Sequence, residues 1–516
     1  MGHPGGEVVD LIEGFREAGL EFILTRHETS AAFMADAMAA ASGIPGVCVA
    51  TLGPGATNLV TGVAQSFLDR SPVIALTGQL PMDRYAITTH QKLDLQALYA
   101  PITKWQARVS PLNASDVIDR ALRVALRPRR GPVYLEVPSD VARQEAHDTA
   151  AEYGMRYGGT FPTEALPVIP RDMAELAAQR LRARRKPVIL AGIDASDEVT
   201  SARLTAFAEA WSIPVIVSPK AKGVIREDHP LFLGTVEMLG TRRIFEFIDG
   251  CDLVLMVGLD PVEFDKEWTA PGEVIHIGPL PNDDRYYQAT IELVGPVNEA
   301  IDVLRSICGS GEAKWDPDAL ALWRNDFRAY VSPRRSGLTA QQVLAALRAA
   351  LPENALATCD VGYNKAVTGQ CWPAYAPKTF FMSNGLSSMG YGLPAAIGLQ
   401  LLHRDRRVAC VLGDGGFAMT MAELETAARL GLPVIVVVLA DDALSQIKAG
   451  QERKGYPATG TTFRGLDYVA VAKGFGASGY DVRSEADCRD AFAAARGAKG
   501  PVLIAAHVDP SAYRLE

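Results

Sequence analysis

The sequence predicts an α/β protein with three doubly wound parallel-sheet domains. Short apolar runs alternate with helical patterns along all 516 residues, which is typical of parallel strands joined by crossover helices. The length fits about three domains of ordinary size. The clearest unit lies within residues 408–443, where apolar runs at 408–412 and 434–440 flank a helical pattern at 420–430.

The first domain is predicted over residues 1–155, beginning with a turn at residues 1–6. Its apolar runs predict strands at 22–25, 47–51, 73–77 and 132–137. Its helical patterns predict helices at 7–18, from 28 to about 41, after a turn at 53–58, and at 114–126. Residues 142–170 contain several Gly and Pro residues and are predicted to be a linker.

The second domain is predicted over residues 168–310. Its patterns predict helices at 171–185, 201–211 and 296–307, and strands at 188–191, 215–217, 253–257 and 274–277. Its turns lack a G-x-G-x-x-G phosphate fingerprint, so nothing in them requires a bound nucleotide. The strongly charged residues 311–335 are predicted to form a second linker.

The third domain is predicted over residues 336–516, with a first helix at 339–350. Asp414 and Asp441 each follow a predicted strand, one crossover apart, at the sheet edge where α/β proteins bind ligands. Two such carboxylates suit Mg²⁺, which binds through one or two carboxylates together with phosphate oxygens. Gly413 and Gly415 leave backbone N–H groups available to a phosphate at the start of the helix. The alternative is an ordinary βαβ unit with solvated aspartates.

Composition narrows the class of protein. A net charge of −9 argues against a nucleic-acid surface, which would need a basic face. Seven scattered cysteines, odd in number and mostly within apolar runs, indicate reduced core residues of a cytoplasmic protein. No apolar run is long enough for a membrane helix, and no N-terminal signal pattern is present. We therefore expect neither nucleic acid nor a membrane as a partner.

Five stretches together resemble the thiamine diphosphate (ThDP)-dependent decarboxylase and carboligase superfamily, and most nearly its acetolactate synthase-like members. They are RHETSAAFMADA, ATLGPGATNLVTG, SPVIALTGQLP, SNGLSSMGYGLPAAIG and GDGGFAMTMAELETAARLGLPV. The resemblance implies a pyrimidine-binding first domain, a central domain and a diphosphate-binding third domain. It implies ThDP and Mg²⁺ as cofactors and a small 2-oxo acid as substrate. It also implies a homo-oligomer, with active sites at the dimer interface.

The resemblance assigns roles to individual residues. Glu28 matches the glutamate that hydrogen-bonds N1′ of the aminopyrimidine and favours the imino tautomer, although a helix N-terminal carboxylate is the alternative. Met389 matches the apolar wedge that bends the cofactor, with a core gap-filler as its alternative. The Ser387 carbonyl would accept from the 4′-amino group. The other positions matched to cofactor binding are Pro54, Asn58, Asn364, Gly413, Asp414, Gly415 and Gly416.

The metal site departs from the family pattern. The position of the family's Asn side-chain ligand falls on Asp441, so the implied Mg²⁺ ligands are Asp414, Asp441 and the Ala443 carbonyl. A shift of one residue would make Asp442 the ligand. The family also has a helix and a strand before the turn that is Pro4-Gly5-Gly6 here, and loss of such a strand would leave unpaired backbone groups in the first sheet.

His90 and Gln91 are relevant to which of the family's reactions this chain catalyses. Acetolactate synthases usually have Phe where His90 stands, whereas a His-Gln pair is more like carboxyethylarginine synthase, and pyruvate decarboxylase-type enzymes also use a His. His90 is therefore a candidate general acid or base beside Gln91, with a solvated turn residue as the alternative. Acetolactate synthases proper carry FAD in the middle domain. No motif here requires one, so FAD is expected to be absent.

The leading hypothesis is a carboligase that decarboxylates a 2-oxo acid and adds the remaining fragment to an acceptor carbonyl. The first alternative is a simple 2-oxo acid decarboxylase or lyase, or a carboxyethylarginine synthase-like enzyme. The second is a catalytically inactive subunit with the same fold.

Overall fold

Three parallel sheets form the framework of the chain. The computed structural model describes residues 1–146, 165–265, 270, 272–282, 287–333 and 335–513. Every strand pair in the three sheets is parallel, which confirms the predicted fold class. Each sheet takes all its strands from one of the three predicted domains, whose boundaries remain predictions.

The first sheet has five strands in the order β1-β2-β3-β5-β4. They are β1 Gly2–His3, β2 Gly46–Ala50, β3 Val73–Gln79, β4 Gln106–Arg108 and β5 Val133–Pro138. Its helices are Val9–Glu17, Glu28–Ser42, Pro54–Leu68, Leu95–Tyr99 and Ala114–Leu126.

Two predictions for the first sheet are wrong. Residues 22–25 make only an isolated bridge, between Leu24 and Gly2, and β1 lies within the predicted turn at residues 1–6. The physical reason is the length of β1. It has only two residues and pairs with β2 on one side, so residues 22–25 can pair only with its other side, which is too short for a ladder. The predictions missed β4 because its sequence, Gln-Ala-Arg, is not an apolar run.

The central sheet has six strands in the order β11-β10-β9-β6-β7-β8. Chain order therefore reverses between β6 and β9, which makes their carboxyl ends a topological switch point. The strands are β6 Pro187–Ala191, β7 Val215–Val217, β8 Phe232–Thr235, β9 Leu253–Val257, β10 Glu273–Gly278 and β11 Ile291–Val294. The helices are Arg171–Ala183, Glu198–Trp211, Thr241–Asp249 and Val297–Cys308.

The third sheet also has six strands, in the order β13-β12-β14-β15-β17-β16, with its switch point between β12 and β14. The strands are β12 Leu356–Cys359, β13 Phe380–Met382, β14 Val408–Gly413, β15 Ile435–Ala440, β16 Ser478–Val482 and β17 Val502–His507. The helices are Ala340–Ala350, Tyr363–Cys371, Gly392–Leu402, Asp414–Thr420, Glu423–Arg429, Ser445–Arg453, Tyr468–Gly474 and Glu485–Gly497. The strand–helix–strand unit at 408–443 is confirmed, but its helical part is two short helices rather than one.

The second predicted linker, at residues 311–335, is wrong, because Pro317–Val331 is a helix. Its charges lie on the outer face, while Leu320, Phe327 and Val331 are buried against the central domain. Asp316 caps the helix by accepting from the Asp318 N–H group at 3.1 Å. In the first predicted linker, residues 147–164 lie outside the described part of the chain.

Contacts between the first and third domains position the functional loops. Helix Glu28–Ser42 packs on helix Gly392–Leu402, with the Phe33 and Tyr391 rings edge to face at 5.5 Å. The Tyr391 hydroxyl donates to Asp36 at 3.1 Å. Within one chain, these two contacts join the first domain, which contains Glu28, to the third domain, which contains Asp414.

Candidate active site

The first group of candidate residues surrounds the Glu28 carboxylate. Glu28 begins a helix and is 8% exposed, and its Oε2 accepts from Asn58 Nδ2 at 3.0 Å. Helix Pro54–Leu68 carries Asn58 and begins at Pro54. A Cβ atom placed on Gly55 would lie 3.4 Å from Glu28 Oε1, so the turn at 53–55 lies against the carboxylate. The structure thus brings together three residues predicted from separate positions: Glu28, Pro54 and Asn58.

Glu423 holds the segment just before Glu28. Its Oε1 accepts from the N–H groups of Arg26 at 3.1 Å and His27 at 3.2 Å. Burial raises the pKa of Glu423, while these donors and the hydroxyls of Thr426 and Ser30 lower it. The sequence analysis missed this residue, because a glutamate at the start of a helix is usually an exposed dipole partner.

His90 and Gln91 lie on an exposed loop between β3 and helix Leu95–Tyr99. Gln91 has a φ of 55°, and a Cβ atom placed on Gly53 would lie 3.0 Å from the Gln91 Cβ. The loop therefore brings Gln91 to the edge of the Glu28 pocket. His90 is exposed, and no hydrogen bond joins its ring to another residue in the described part of the chain.

A buried polar network supports the same edge of the first sheet. Glu136, on β5, is 1% exposed and accepts from Gln79, from Gln96 Nε2 at 3.1 Å and from Arg108 Nε at 2.8 Å. Paired in this way, the carboxylate holds the ends of β3, β4 and β5 together. A glutamate inside the apolar strand sequence Val-Tyr-Leu-Glu-Val is the signal that could have identified it.

The second group surrounds Asp414, which is 3% exposed. Its Oδ1 accepts from the Gly415 N–H group at 2.8 Å, and its Oδ2 accepts from those of Asp441 at 3.1 Å and Asp442 at 2.7 Å. Burial raises the pKa of Asp414 to about 6, and the nearby Asp441 carboxylate adds to the effect. A cation between the two carboxylates would offset this repulsion.

The two candidate acidic ligands, Asp441 and Asp442, have different neighbours. Asp441 Oδ1 accepts from the Ala443 N–H group at 3.3 Å, and its Oδ2 accepts from the Ser445 hydroxyl at 2.6 Å. The Asp442 carboxylate faces Gly465 instead, where an added Cβ atom would lie 2.7 Å from its Oδ1. The part of the chain that the structure describes contains no group of three His, Cys, Asp or Glu side chains placed to hold a metal. Bound phosphate oxygens would have to complete a magnesium shell here.

The glycines of this group leave room that side chains would fill. An added Cβ atom on Gly413 would lie 3.4 Å from Asn364 Oδ1, one on Gly415 3.1 Å from Met389 Cε, and one on Gly416 2.8 Å from Asp360 Oδ2. Asn364, Met389 and the glycines at 413–416 therefore form one cradle at the switch point of the third sheet. Such a cradle at the start of a helix, beside two carboxylates that suit Mg²⁺, fits a diphosphate.

Asp360, which the sequence analysis did not assign a role, supports the cradle from below. It is fully buried after β12 and accepts from the N–H groups of Gly390, at 2.9 Å and 3.0 Å, and Gly392, at 3.3 Å. Burial raises the pKa of Asp360 to about 6, and the backbone donors lower it. These hydrogen bonds fix the residue that follows Met389.

Ser387 has a φ of 53°, in the left-handed region that favours glycine. Its hydroxyl donates to the Asn384 carbonyl at 2.8 Å and accepts from Lys365 Nζ at 3.0 Å. These side-chain contacts help to hold an unfavourable backbone conformation.

Three family models match successive parts of the chain. The N-terminal thiamine pyrophosphate (TPP) binding domain of thiamine pyrophosphate enzymes matches residues 1–98, the central domain 174–304, and the C-terminal TPP binding domain 360–506. A probable acetolactate synthase large subunit of Methanocaldococcus jannaschii is 32% identical, over 99% of this chain and 89% of the relative. The chain belongs to the thiamine pyrophosphate enzyme family.

Other relatives in this family are named acetolactate synthases. The one from Bacillus subtilis is 28% identical, over 99% of this chain and 90% of its own length. Isozyme 1 large subunit of Escherichia coli is 29% identical, over 98% and 91%. The predicted family, the enzyme class and ThDP as cofactor are confirmed, since thiamine pyrophosphate is the same molecule. The roles of individual site residues remain predictions.

One further finding concerns membranes. No helix in the described ranges is both long and apolar enough to cross a membrane.

Proposed function

We propose that this chain is a Mg²⁺-dependent carboligase of the acetolactate synthase-like type, which decarboxylates a 2-oxo acid and adds the remaining fragment to an acceptor carbonyl. The observation that carries this proposal is the pair of half-sites on a chain that is acetolactate synthase-like over nearly its whole length. One half-site is the Glu28–Asn58 pocket, and the other is the Asp414–Asp441 cradle.

The residues of each half-site suit one end of the cofactor. Glu28 would hold a proton at N1′ of the aminopyrimidine, with Asn58 fixing the orientation of the carboxyl group. Met389, beside Gly415, would support the bend between the two rings, and Asn364 with the glycine N–H groups would bind the diphosphate. Asp414, Asp441 and the Ala443 carbonyl would hold Mg²⁺. The bound cofactor supplies the electron sink that allows a 2-oxo acid to lose CO₂.

The decisive experiment incubates the protein with ThDP, Mg²⁺ and pyruvate as its only 2-oxo acid. Two pyruvates would give one acetolactate and one CO₂. Acetaldehyde in place of acetolactate would overturn the carboligase proposal in favour of a simple decarboxylase. If pyruvate alone gives neither product, a panel of 2-oxo acids and acceptor aldehydes or ketones follows, with released CO₂ as the readout.

The inactive-subunit alternative has its own readout. A protein that binds ThDP, but does not exchange the proton at C2 of the thiazolium ring, would be an inactive member of the family. Hydrogen–deuterium exchange of the bound cofactor, followed by NMR, measures this step without any substrate. Exchange faster than in free ThDP is the expected result.

We also propose a cytoplasmic homo-oligomer with active sites shared between subunits. All seven cysteines are free and six of them are buried, which fits a reducing compartment. The Glu28 pocket and the Asp414 cradle belong to different sheets, and no hydrogen bond joins Glu28 or Asn58 to Asp414 or Asp441 in the described part of the chain. A facing copy of the chain would supply the missing half of each site.

A further inference from the structure

The central domain has the strand order of a dinucleotide-binding fold. Read as β8-β7-β6-β9-β10-β11, the strand order is 3-2-1-4-5-6. Sheets with this order bind dinucleotides in the crevice between strands 1 and 4, which are the first strands of the two halves of the sheet. Here that crevice lies outside the carboxyl ends of β6 and β9. It is therefore where this fold would hold a dinucleotide such as FAD.

The side chain of Glu263 occupies this crevice. It follows β9, is 1% exposed, and accepts from the Ile193 N–H group at 3.0 Å and 3.1 Å through its two oxygens. Its Oε2 also accepts from the Asp260 N–H group at 2.9 Å, and its Oε1 contacts the Ser218 hydroxyl. The donors therefore come from the loops after β6, β7 and β9. Backbone N–H groups after the first strand of such a fold are those that a diphosphate would use.

The loops leave no gap for a second anion beside this carboxyl group. A Cβ atom placed on Gly192 would lie 2.3 Å from the Leu259 Cα, 2.5 Å from Glu263 Oε2 and 2.6 Å from the Gly258 carbonyl oxygen. The turn after β6 is thus in direct contact with the turn after β9. A diphosphate would have to separate the two turns and displace the Glu263 side chain.

Buried carboxyl groups already occupy this position. Asp260 is buried beside Glu263, and Arg70 of the first domain pairs with it through two hydrogen bonds of 2.8 Å and 3.0 Å. The guanidinium is therefore already engaged by a carboxylate. Burial raises the pKa of Glu263 to about 8, while the hydroxyl and backbone donors lower it. An incoming phosphate would also lose its water on burial here, and it would lie beside the buried carboxyl group of Asp260.

We propose that the Glu263 carboxyl group takes the anion position of the dinucleotide crevice, so that the central domain binds neither FAD nor another nucleoside diphosphate. Glu263 instead joins the three loops of the switch point into one rigid edge. Through Asp260 and Arg70, that edge is attached to the first domain. The crevice acts as a structural joint between domains, and this holds whichever reaction the enzyme catalyses.

The first test uses the intact protein saturated with ThDP and Mg²⁺, so that its cofactor site cannot bind the probes. FAD is titrated with flavin fluorescence as the readout, and ADP is titrated by calorimetry. The expected result is a preparation without flavin and no saturable binding at millimolar ligand. Stoichiometric FAD binding that ADP reverses would overturn the proposal.

The second test asks whether the donors form an anion site once the side chain is removed. In Glu263→Ala, three donors lose their partner, so formate should raise the melting temperature of this variant more than chloride does at equal ionic strength. Glu263→Gln fills the same space and is the matched control, for which no formate-specific rise is expected. Equal shifts in wild type and both variants would overturn the assignment. If Glu263→Ala does not fold, the FAD titrations of wild type and Glu263→Gln still decide the proposal.

Discussion

Glu28 leaves one carboxylate oxygen without a donor in the described part of the chain. Its Oε2 accepts from Asn58, whereas its Oε1 faces the glycine turn at residues 53–55. An oxygen that no protein donor holds can accept a hydrogen bond from a ligand. The proposed partner is N1′ of the aminopyrimidine.

Glu28→Gln should slow exchange of the cofactor's C2 proton by about 100-fold or more, because the amide is a far weaker proton donor and acceptor at N1′. ThDP affinity should change little, since the diphosphate is bound by another domain. Exchange is measured by NMR of bound cofactor, and affinity by calorimetry. Glu17→Gln, at an exposed position of helix Val9–Glu17, is the matched control. Wild-type exchange in Glu28→Gln would remove Glu28 from the proposed role.

Asp441 and Asp442 provide a second residue-scale test. Asp441→Ala should raise the Mg²⁺ concentration needed for half-maximal ThDP binding by about tenfold or more, because a ligand oxygen is lost. Asp441→Asn keeps that oxygen and should bind Mg²⁺ nearly as well. Asp442→Ala is the matched control, because the Asp442 carboxylate faces Gly465. A metal titration with the opposite order for the two alanine variants would assign the ligand to Asp442.

The sequence analysis selected candidate site residues that stand in short motifs, and their roles remain predictions. Glu28, Asp414 and Asp441 are of this kind. The supporting residues were missed because their partners are distant in the chain: Asp360 accepts from residues 390 and 392, and Glu423 from residues 26 and 27. A buried carboxylate is recognisable only when the fold shows which backbone N–H groups surround it.

At the scale of elements, the charged residues of helix Pro317–Val331 led to the wrong prediction of a linker. Its polar residues suggested a linker, yet an apolar face packs on the central domain. Phe327 stacks on Trp323 at 4.9 Å, and a Cβ atom placed on Gly240 would lie 2.7 Å from the Phe327 ring. The segment is therefore part of the central core rather than a flexible connection.

Phe327→Ala should destabilise the protein by about 3–5 kcal/mol, because it leaves a cavity between this helix and the central domain. Leu322→Ala is the matched control on the same helix, since Leu322 is 64% exposed and should change stability by less than about 0.5 kcal/mol. Differential scanning calorimetry of both variants measures the difference. Equal shifts in melting temperature would contradict the packed position of the helix.

The sequence predicted β14 and β15 of the third sheet, but it gave no prediction for β12, which is also buried throughout. Strands of the third sheet such as β14 and β15 are continuous Val- and Leu-rich runs, because helices cover both faces. The four-residue strands β8 and β11 were missed. Strand β8 contains a glycine, and β11 alternates between buried and partly buried residues. Short edge strands are formed by pairing with a neighbour, which a local pattern does not reveal.

At the scale of the whole molecule, one carboxylate connects all three domains. Asp69 ends helix Pro54–Leu68 and accepts from Lys220 Nζ of the central domain at 3.0 Å. It also accepts from the N–H groups of Asn384 and Gly385, in the loop that carries Met389. The Asp69 carboxylate raises the pKa of Lys220 against the opposing effect of burial. The junction therefore fixes the loop that carries Met389 relative to the first and central domains.

This rigid arrangement bears on how a complete site is formed. Helix Glu28–Ser42 is fixed against helix Gly392–Leu402 in the same chain. No hydrogen bond joins Glu28 or Asn58 to Asp414 or Asp441 in the described part of the chain. A twofold-symmetric dimer would place each pocket against the cradle of the other subunit and build two equivalent sites.

Mixing two inactive variants tests this arrangement. Glu28→Gln and Asp414→Ala should each be inactive alone, because each removes one half of every site. In a mixed dimer, one site combines intact Glu28 from one subunit with intact Asp414 from the other, and the second site carries both changes. Random exchange of equal amounts should therefore restore about a quarter of wild-type activity. Activity is measured before and after subunit exchange, and sedimentation checks that the mixture is dimeric or larger. Full activity of a monomeric wild-type chain, or no recovery in a mixture shown to exchange, would mean that each site lies within one subunit.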